Sequence, residues 1–286
     1  MSRTALKHKA EALLALHTNG TLLVLPNIWN PIGARVLEQK GYRAVATASA
    51  AVSASLGYED GEKIKRSTLI DVIGRIARSV SVPVTADIEY GYGASLAELE
   101  ETARQVIDCG VVGLNLEDSL QEGGGLRTIE AQCQRIATFR QVADHSGIPL
   151  VINARIDSFI SSAFADKEAA IEEAATRAKA YVAAGANCLY PIGPRDEATV
   201  RQLRARIAAP INILATPTAV PLSTLQAIGV NRVSFGASVF RACLRTFVTI
   251  ADNLLVDGDP ACLGGLLSGP ETGVFLLSGT EGDPID

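Results

Sequence analysis

The 286-residue chain is 48% hydrophobic and carries 31 acidic against 26 basic residues, a formal net charge of −5. That balance argues against nucleic acid or an anionic membrane as the main partner, and no apolar run reaches the roughly 20 residues of a membrane-spanning helix. The five cysteines, Cys109, Cys133, Cys188, Cys243 and Cys262, include no CxxC pair and read as reduced thiols. Arg3, Lys7, His8, Lys9 and Glu11 at the start are unlike a signal peptide. The expectation is a soluble, cytoplasmic protein.

In chain order, short apolar runs alternate with longer amphipathic stretches. The runs are Leu22–Pro26, Ala44–Ser49, Val82–Glu89, Val111–Glu117, Leu150–Asp157, Ala186–Ile192, Ile211–Ala215 and Arg232–Gly236. Near-continuous apolar strands separated by helices predict a parallel sheet covered on its outside. Ser95-Leu96-Ala97-Glu98 is a capping box opening a helix that ends near Cys109-Gly110. Lys167–Ala184 reads as a helix closed by Gly185, and Ser223–Ile228 as one closed by Gly229. Eight such units in this length predict an α/β fold of the (β/α)8 TIM-barrel type over residues 1–256. No glycine-rich dinucleotide fingerprint follows the first strand, which weighs against an open doubly wound sheet. Ala237–Val256 reads as a helix. The tail, residues 257–286, holds Leu263, Leu266, Leu267, Phe275 and Leu277. That surface reads as packed on a partner subunit, the alternative being that it folds back on its own barrel. The last stretch, Gly279–Asp286, reads as mobile.

A barrel of this kind keeps its active site at the carboxyl ends of its strands. The richest strand end is Val84-Thr85-Ala86-Asp87-Ile88-Glu89-Tyr90-Gly91-Tyr92-Gly93. Side chains two apart on a strand share a side, so Asp87 and Glu89 are expected to face one place. Two carboxylates held together need a cation or a proton between them. The other strand ends offer Asn27 and Trp29; Thr47, Ala48 and Ser49; Asn115, Glu117 and Asp118; Asn153, Arg155 and Asp157; Tyr190; Asn212 and Thr216; and Ser234. None of His8, His17 and His145, and no lysine, lies at a strand end. A histidine base, a His-ligated zinc and a Schiff-base lysine are thereby disfavoured. Oxygen donors select Mg²⁺, or Mn²⁺ in its place. Asp87 is the candidate direct ligand, with Glu89 and Glu117 holding the ion's waters. Arg155 suits a substrate carboxylate, although Asp157 could claim it as a plain ion pair. Trp29 reads equally as a lid over the barrel mouth or a surface aromatic. Asp60 reads from composition as a turn residue.

Four motifs in register carry a family resemblance: Leu56-Gly57-Tyr58-Glu59-Asp60, Ala86-Asp87-Ile88-Glu89-Tyr90-Gly91-Tyr92-Gly93, Asn115-Leu116-Glu117-Asp118 and Asn153-Ala154-Arg155-Ile156-Asp157. From about Leu22 to Gly236 the chain resembles the isocitrate lyase/phosphoenolpyruvate mutase superfamily. The resemblance implies a (β/α)8 barrel whose eighth helix is exchanged between subunits of dimers and tetramers. It also implies Mg²⁺ and a small 2-oxo or 2-hydroxy acid at the barrel mouth. Asp87 resembles the metal ligand, Glu89 and Glu117 its water-mediated companions, Asp60 an acid beside substrate and metal, and Arg155 the substrate-binding arginine. Thr47, Ala48 and Ser49 match the turn that cradles the substrate carboxylate. Glu89 stands where many members have Asp, a reach longer by one methylene.

The departures bear on the reaction. The lyases carry a Lys-Lys-Cys-Gly-His loop; here Asp118-Ser119-Leu120-Gln121-Glu122-Gly123-Gly124-Gly125-Leu126-Arg127 has neither Cys nor His. The mutases place Lys and Asn in this lid, and the matches here are glycines. Pro191-Ile192 replaces the Pro-Glu of the lyases. The chain keeps an enolate-stabilising half and lacks the known acid–base half. The expectation is a Mg²⁺-dependent carbon–carbon lyase on a small 2-oxo acid, with oxaloacetate decarboxylation the concrete case. The enolate's proton would come from Tyr90, Tyr92 or a metal-bound water. Trp29 and Asn212 join the candidate substrate contacts. The alternatives are carbon–phosphorus chemistry on phosphonopyruvate or phosphoenolpyruvate, and a 2-oxo acid binding protein with little turnover.

Overall fold

The computed structural model describes residues 1–121, 124–161, 163–164, 166–194 and 196–276. Glu122 and Gly123 of the glycine-rich lid, Leu277 and the Gly279–Asp286 stretch lie outside the described residues.

A helix, α1 (Arg3–Thr18), precedes the first strand, which Pro26 divides into β1 (Leu23–Leu25) and β2 (Asn27–Ile28). There follow α2 (Pro31–Gln39), β3 (Val45–Thr47), the short α3 (Ser49–Ser55), α4 (Arg66–Ser79), β4 (Val84–Asp87), α5 (Leu96–Asp108), β5 (Gly113–Glu117) and α6 (Ile129–Ser146). The second half runs β6 (Val151–Ile156), α7 (Lys167–Ala183), β7 (Cys188–Pro191), α8 (Glu197–Arg206), β8 (Asn212–Leu214), α9 (Leu222–Ile228), β9 (Arg232–Ser234) and α10 (Ser238–Val256). A 3-10 turn at Pro260–Leu263 and α11 (Gly269–Gly273) complete the described chain.

All strand pairs are parallel. β2 to β7 pair in sequence order, and β1, β9 and β8 pair in that order. The two groups join where Pro26 interrupts one continuous strand and where Leu189 bridges Ile211, so the sheet closes into a barrel. Each apolar run read from the sequence contains a strand. A proline has no amide to give to a ladder, which explains why the first run is split.

The helix punctuation is equally local. Ser95 and Glu98 cap α5 reciprocally, and Gly229 closes α9 with φ 89°, a left-handed conformation that glycine adopts without a Cβ clash. Helix α1 seals the amino-terminal end of the barrel with buried Leu6, Ala10, Leu13, Leu16 and His17. Helix α10 behaves differently: it has no buried residue. Beyond it the chain partly returns to the same barrel, where Arg35 Nε donates to the Phe275 carbonyl at 2.9 Å. Among the described residues, no helix is long and apolar enough to cross a membrane.

Candidate active site

A cavity of about 290 Å³ opens at the carboxyl ends of the strands; Ser49, Asp60, Asp87, Arg155 and Tyr190 line it from the strands and the loops after them, and Arg241 from α10. Two wider grooves, about 550 and 580 Å³, follow the outsides of α1, α5 and α6. They hold none of the strand-end residues, so the smaller cavity is the candidate site.

Asp87 ends β4, and its placement is fixed from two sides. Its amide donates to Thr47 Oγ1 at 3.0 Å, while its Oδ2 accepts from the Ser49 amide at 3.1 Å and the Ser49 hydroxyl at 3.0 Å. Its other oxygen accepts no hydrogen bond among the described residues. Thr47 is thus a support beneath Asp87, whereas Ala48 and Ser49 reach the cavity wall. Asp60, which composition alone would leave as a turn residue, stands in the cavity lining with Asp87. The residue is exposed as a whole, but desolvation of its carboxyl at the cavity wall raises its pKa, and repulsion by Asp87 adds to the rise.

Glu89 departs from the alternation expected of it. β4 ends at Asp87, and Glu89 has φ 51°, so the two-residue strand period no longer applies. Its buried carboxylate turns to the loop that carries Asp60. Oε2 accepts the amides of Gly61 and Glu62, each at 2.6 Å, and Oε1 accepts the Tyr92 hydroxyl at 2.9 Å. Burial pushes Glu89 up to about 7, with Asp60 and Asp87 adding repulsion. Glu117, on β5, is buried against Arg155. Burial raises its pKa well above the carboxylate range, against the pull of Arg155.

Arg155 is gripped twice. It contacts Glu117, and it donates to both oxygens of Asp157 at 2.7 and 3.1 Å. Burial disfavours its charge, yet Glu117 and Asp157 hold the guanidinium firmly protonated. The ion-pair reading of Arg155 and Asp157 is therefore what the geometry displays, and the residue still lines the cavity. Asp118 is buried behind this pair: its Oδ1 accepts the Asp157 amide at 3.0 Å, and its Oδ2 accepts from Arg177 and Tyr181.

Other expected residues stand further back. Trp29 packs edge-on against Phe240 with ring centroids 5.1 Å apart, joining the first strand's end to α10. Asn212 is fully buried and donates to Ser234 Oγ at 3.1 Å. Tyr92 spends its hydroxyl on Glu89, and burial pushes the Tyr90 hydroxyl up to about 12. Neither tyrosine is in the cavity lining; Tyr190 is.

Two cations were not read as site residues. Arg241 reaches the cavity from α10, is exposed, and has no ion pair among the described residues. Arg232 starts β9, 1% exposed; its Nη2 donates to Asn115 at 3.2 Å, and its Nε and Nη1 have no partner. A lone arginine on the first turn after the last strand was the available signal for Arg241.

The donor set fits a divalent ion. Among the described residues no three acidic, His or Cys side chains converge as a ready-made chelator. Mg²⁺ does not need one, because it keeps several waters and takes one or two carboxylates together with substrate oxygens. Asp87 has a carboxylate oxygen that accepts no hydrogen bond among the described residues, and Asp60 shares the cavity wall with it; repulsion between the neighbouring acids adds to the burial that raises the carboxyls of Asp60 and Glu89.

Fold and site together define a (β/α)8 barrel of the enzyme type, with carboxylates and an arginine gathered at its strand ends. The chain belongs to the phosphoenolpyruvate phosphomutase family, whose profile matches residues 13–255, within the isocitrate lyase/phosphoenolpyruvate mutase superfamily. It is 30% identical over 267 residues to 2-methylisocitrate lyase of Escherichia coli, covering 89% of this chain and 87% of that one. It is 32% identical over 230 residues to an uncharacterised protein of Mycobacterium tuberculosis, covering 80% and 83%. A crystal structure from Burkholderia cenocepacia, named only provisionally as a phosphonomutase, superposes with TM-score 0.82 at 36% identity, over 86% of this chain and 99% of that one.

Proposed function

We propose that this protein is a Mg²⁺-dependent carbon–carbon lyase acting on a small 2-oxo dicarboxylic acid, with oxaloacetate decarboxylation as its reaction. The observation that carries the reading is the mixed lining of the cavity, which holds two acids, Asp60 and Asp87, and two arginines, Arg155 and Arg241, the latter without an ion pair among the described residues. A dianion with a keto group, held beside a cation, matches that mixture. Asp87 would hold the ion directly, with Asp60 and Glu117 oriented towards its waters. The bound ion supplies Lewis-acid stabilisation of the enolate charge. The chain's own residues do the rest. The Ala48–Ser49 turn and Arg155 orient the 2-oxo carboxylate. Arg241 takes the distal carboxylate, the group that departs as carbon dioxide when the bond to it breaks and its electron pair becomes the enolate. Tyr190, whose hydroxyl burial pushes up to about 12, stays protonated at neutral pH and gives its proton to the enolate carbon, and solvent entering after carbon dioxide leaves restores that proton.

The test is incubation with oxaloacetate, phosphonopyruvate or methylisocitrate, each with Mg²⁺ or with EDTA. Pyruvate formed from oxaloacetate above the metal-only rate, and abolished by EDTA, is the expected result. Tyr190→Phe should lower kcat at least tenfold. Phosphate release from phosphonopyruvate would replace the reading by carbon–phosphorus chemistry. Thermal stabilisation by 2-oxo acids without product would replace it by binding alone.

A further inference from the structure

The loop between α3 and α4 brings Asp60 to the cavity, yet little of it is buried: residues 57–60 are all exposed, and the chain there has φ 83° at Gly57 and 100° at Gly61. Beside a long bond from Gln121 Nε2 to the Gly61 carbonyl at 3.4 Å, what ties it to the barrel is one side chain two residues past the end of β4. Glu89, 2% exposed, accepts the consecutive amides of Gly61 and Glu62 on one oxygen and the Tyr92 hydroxyl on the other. The tie is returned, because the Tyr92 amide donates to Glu62 Oε1 at 2.7 Å. Glu62, Glu89 and Tyr92 all take positive φ, 57°, 51° and 52°. For non-glycine residues that conformation persists where surrounding bonds over-determine it, and here the three strained residues are the three that bond one another.

We propose that Glu89 is a positioning residue, a clamp that holds the Asp60 loop against the end of β4 and so sets Asp60 beside Asp87. The clamp itself follows from the hydrogen bonds; its consequence for turnover rests on the function proposed above. Two features give the clamp its reach and direction. A carboxylate whose oxygens already accept three donors is oriented by the loop rather than free to swing to an ion. The glutamate's second methylene carries the carboxylate past the strand end to the amides of residues 61 and 62, a span that aspartate cannot cover.

Two substitutions separate a clamp from a holder of metal waters. Glu89→Gln keeps the length and an oxygen that accepts both amides, and its NH₂ can donate to Tyr92, but it loses the charge. Glu89→Asp keeps the charge and loses the length. Deuterium exchange of peptides spanning residues 57–65, measured on the metal-free protein, reads the clamp directly and needs no substrate. Glu89→Asp should speed exchange there at least tenfold, while Glu89→Gln stays within threefold of the parent. Tyr92→Phe, which removes one donor and leaves both amide bonds, should fall between them and serves if the Asp variant does not fold. Mn²⁺ affinity of the free protein should change less than threefold in Glu89→Asp, whereas its KM for oxaloacetate rises with kcat less affected. Unchanged loop exchange in Glu89→Asp and Tyr92→Phe would overturn the clamp. So would loss of Mn²⁺ binding in Glu89→Gln with the loop still protected, which would make Glu89 part of the metal's surroundings. If the exchange pattern holds and oxaloacetate is not consumed, the clamp stands and the proposed reaction fails.

Discussion

His17 sits where a titratable group is least expected, at the end of α1 inside the closed bottom of the barrel. Its Nδ1 donates to the Leu13 carbonyl at 2.8 Å and its Nε2 has no partner. Burial, joined by the nearby Arg232 charge and opposed by the Leu13 bond, lowers its pKa to about 4. The unfolded chain takes up a proton near pH 6.5 and the folded one does not. The unfolded state therefore binds more protons between pH 6.5 and about 4, and the contribution to stability is complete above 6.5 and lost as pH falls through that window. A shift of that size is worth roughly 3 kcal/mol. Urea unfolding of the parent should lose more stability over this range than that of His17→Gln; parallel pH profiles would remove His17 from the acid response. The same local reasoning explains what the sequence revealed about the site. Asp87 was legible because it is a strand residue and obeys strand alternation. Glu89 departs from strand alternation because it lies two residues past the end of β4 with φ 51°, and Arg241 escapes a strand-end reading because it belongs to a helix that approaches the mouth from outside the strand ends.

The βα units were legible because each element carries its own punctuation: apolar β-branched runs for strands, Ser95 with Glu98 for α5, Gly229 for α9. What local pattern does not encode is close approach between distant elements. Gly113, the first residue of β5, is such a case. A Cβ there would lie 2.7 Å from Leu13 Cδ2 of α1 and 3.0 Å from Thr85 Oγ1 of β4. The glycine lets the plugging helix settle onto the barrel floor, and nothing around it in sequence marks it out from a glycine in a turn. Because Leu13 is itself fully buried, it has no empty space to move into. Gly113→Ala should cost about 1–3 kcal/mol through overpacking, measured as a lower urea midpoint with an unchanged slope. A Gly113→Ala, Leu13→Ala double variant should recover part of the overpacking cost, because the shortened side chain makes room for the new methyl. Strict additivity of the two single effects would place the crowding elsewhere.

At the scale of the whole molecule the barrel is self-sufficient and its carboxyl-terminal arm is not. Along α10 and beyond, Phe247 is 68% exposed, Leu255 86%, Val256 80% and Leu266 70%. So many exposed apolar side chains along one arm are a liability on a monomer and the usual mark of a subunit contact. The contacts made in cis, Trp29 on Phe240 and Arg35 on the Phe275 carbonyl, anchor the two ends of the arm and leave its middle uncovered. For residues 257–286 the sequence suggests packing on a partner or return to the same barrel; the Arg35 bond to the Phe275 carbonyl is of the second kind, while Leu266 stays exposed. A second copy of the chain is the natural cover, since a symmetric pair lets each arm bury the other's apolar side chains. The arm also carries Arg241 into the cavity, so its placement is coupled to the site. We therefore expect a homo-oligomer by light scattering after gel filtration. Phe247→Glu should shift it towards monomer and raise the KM for a dicarboxylic substrate by loosening Arg241. A parent protein that is monomeric at micromolar concentration, or a variant that dissociates with KM unchanged, would separate the arm from the chemistry.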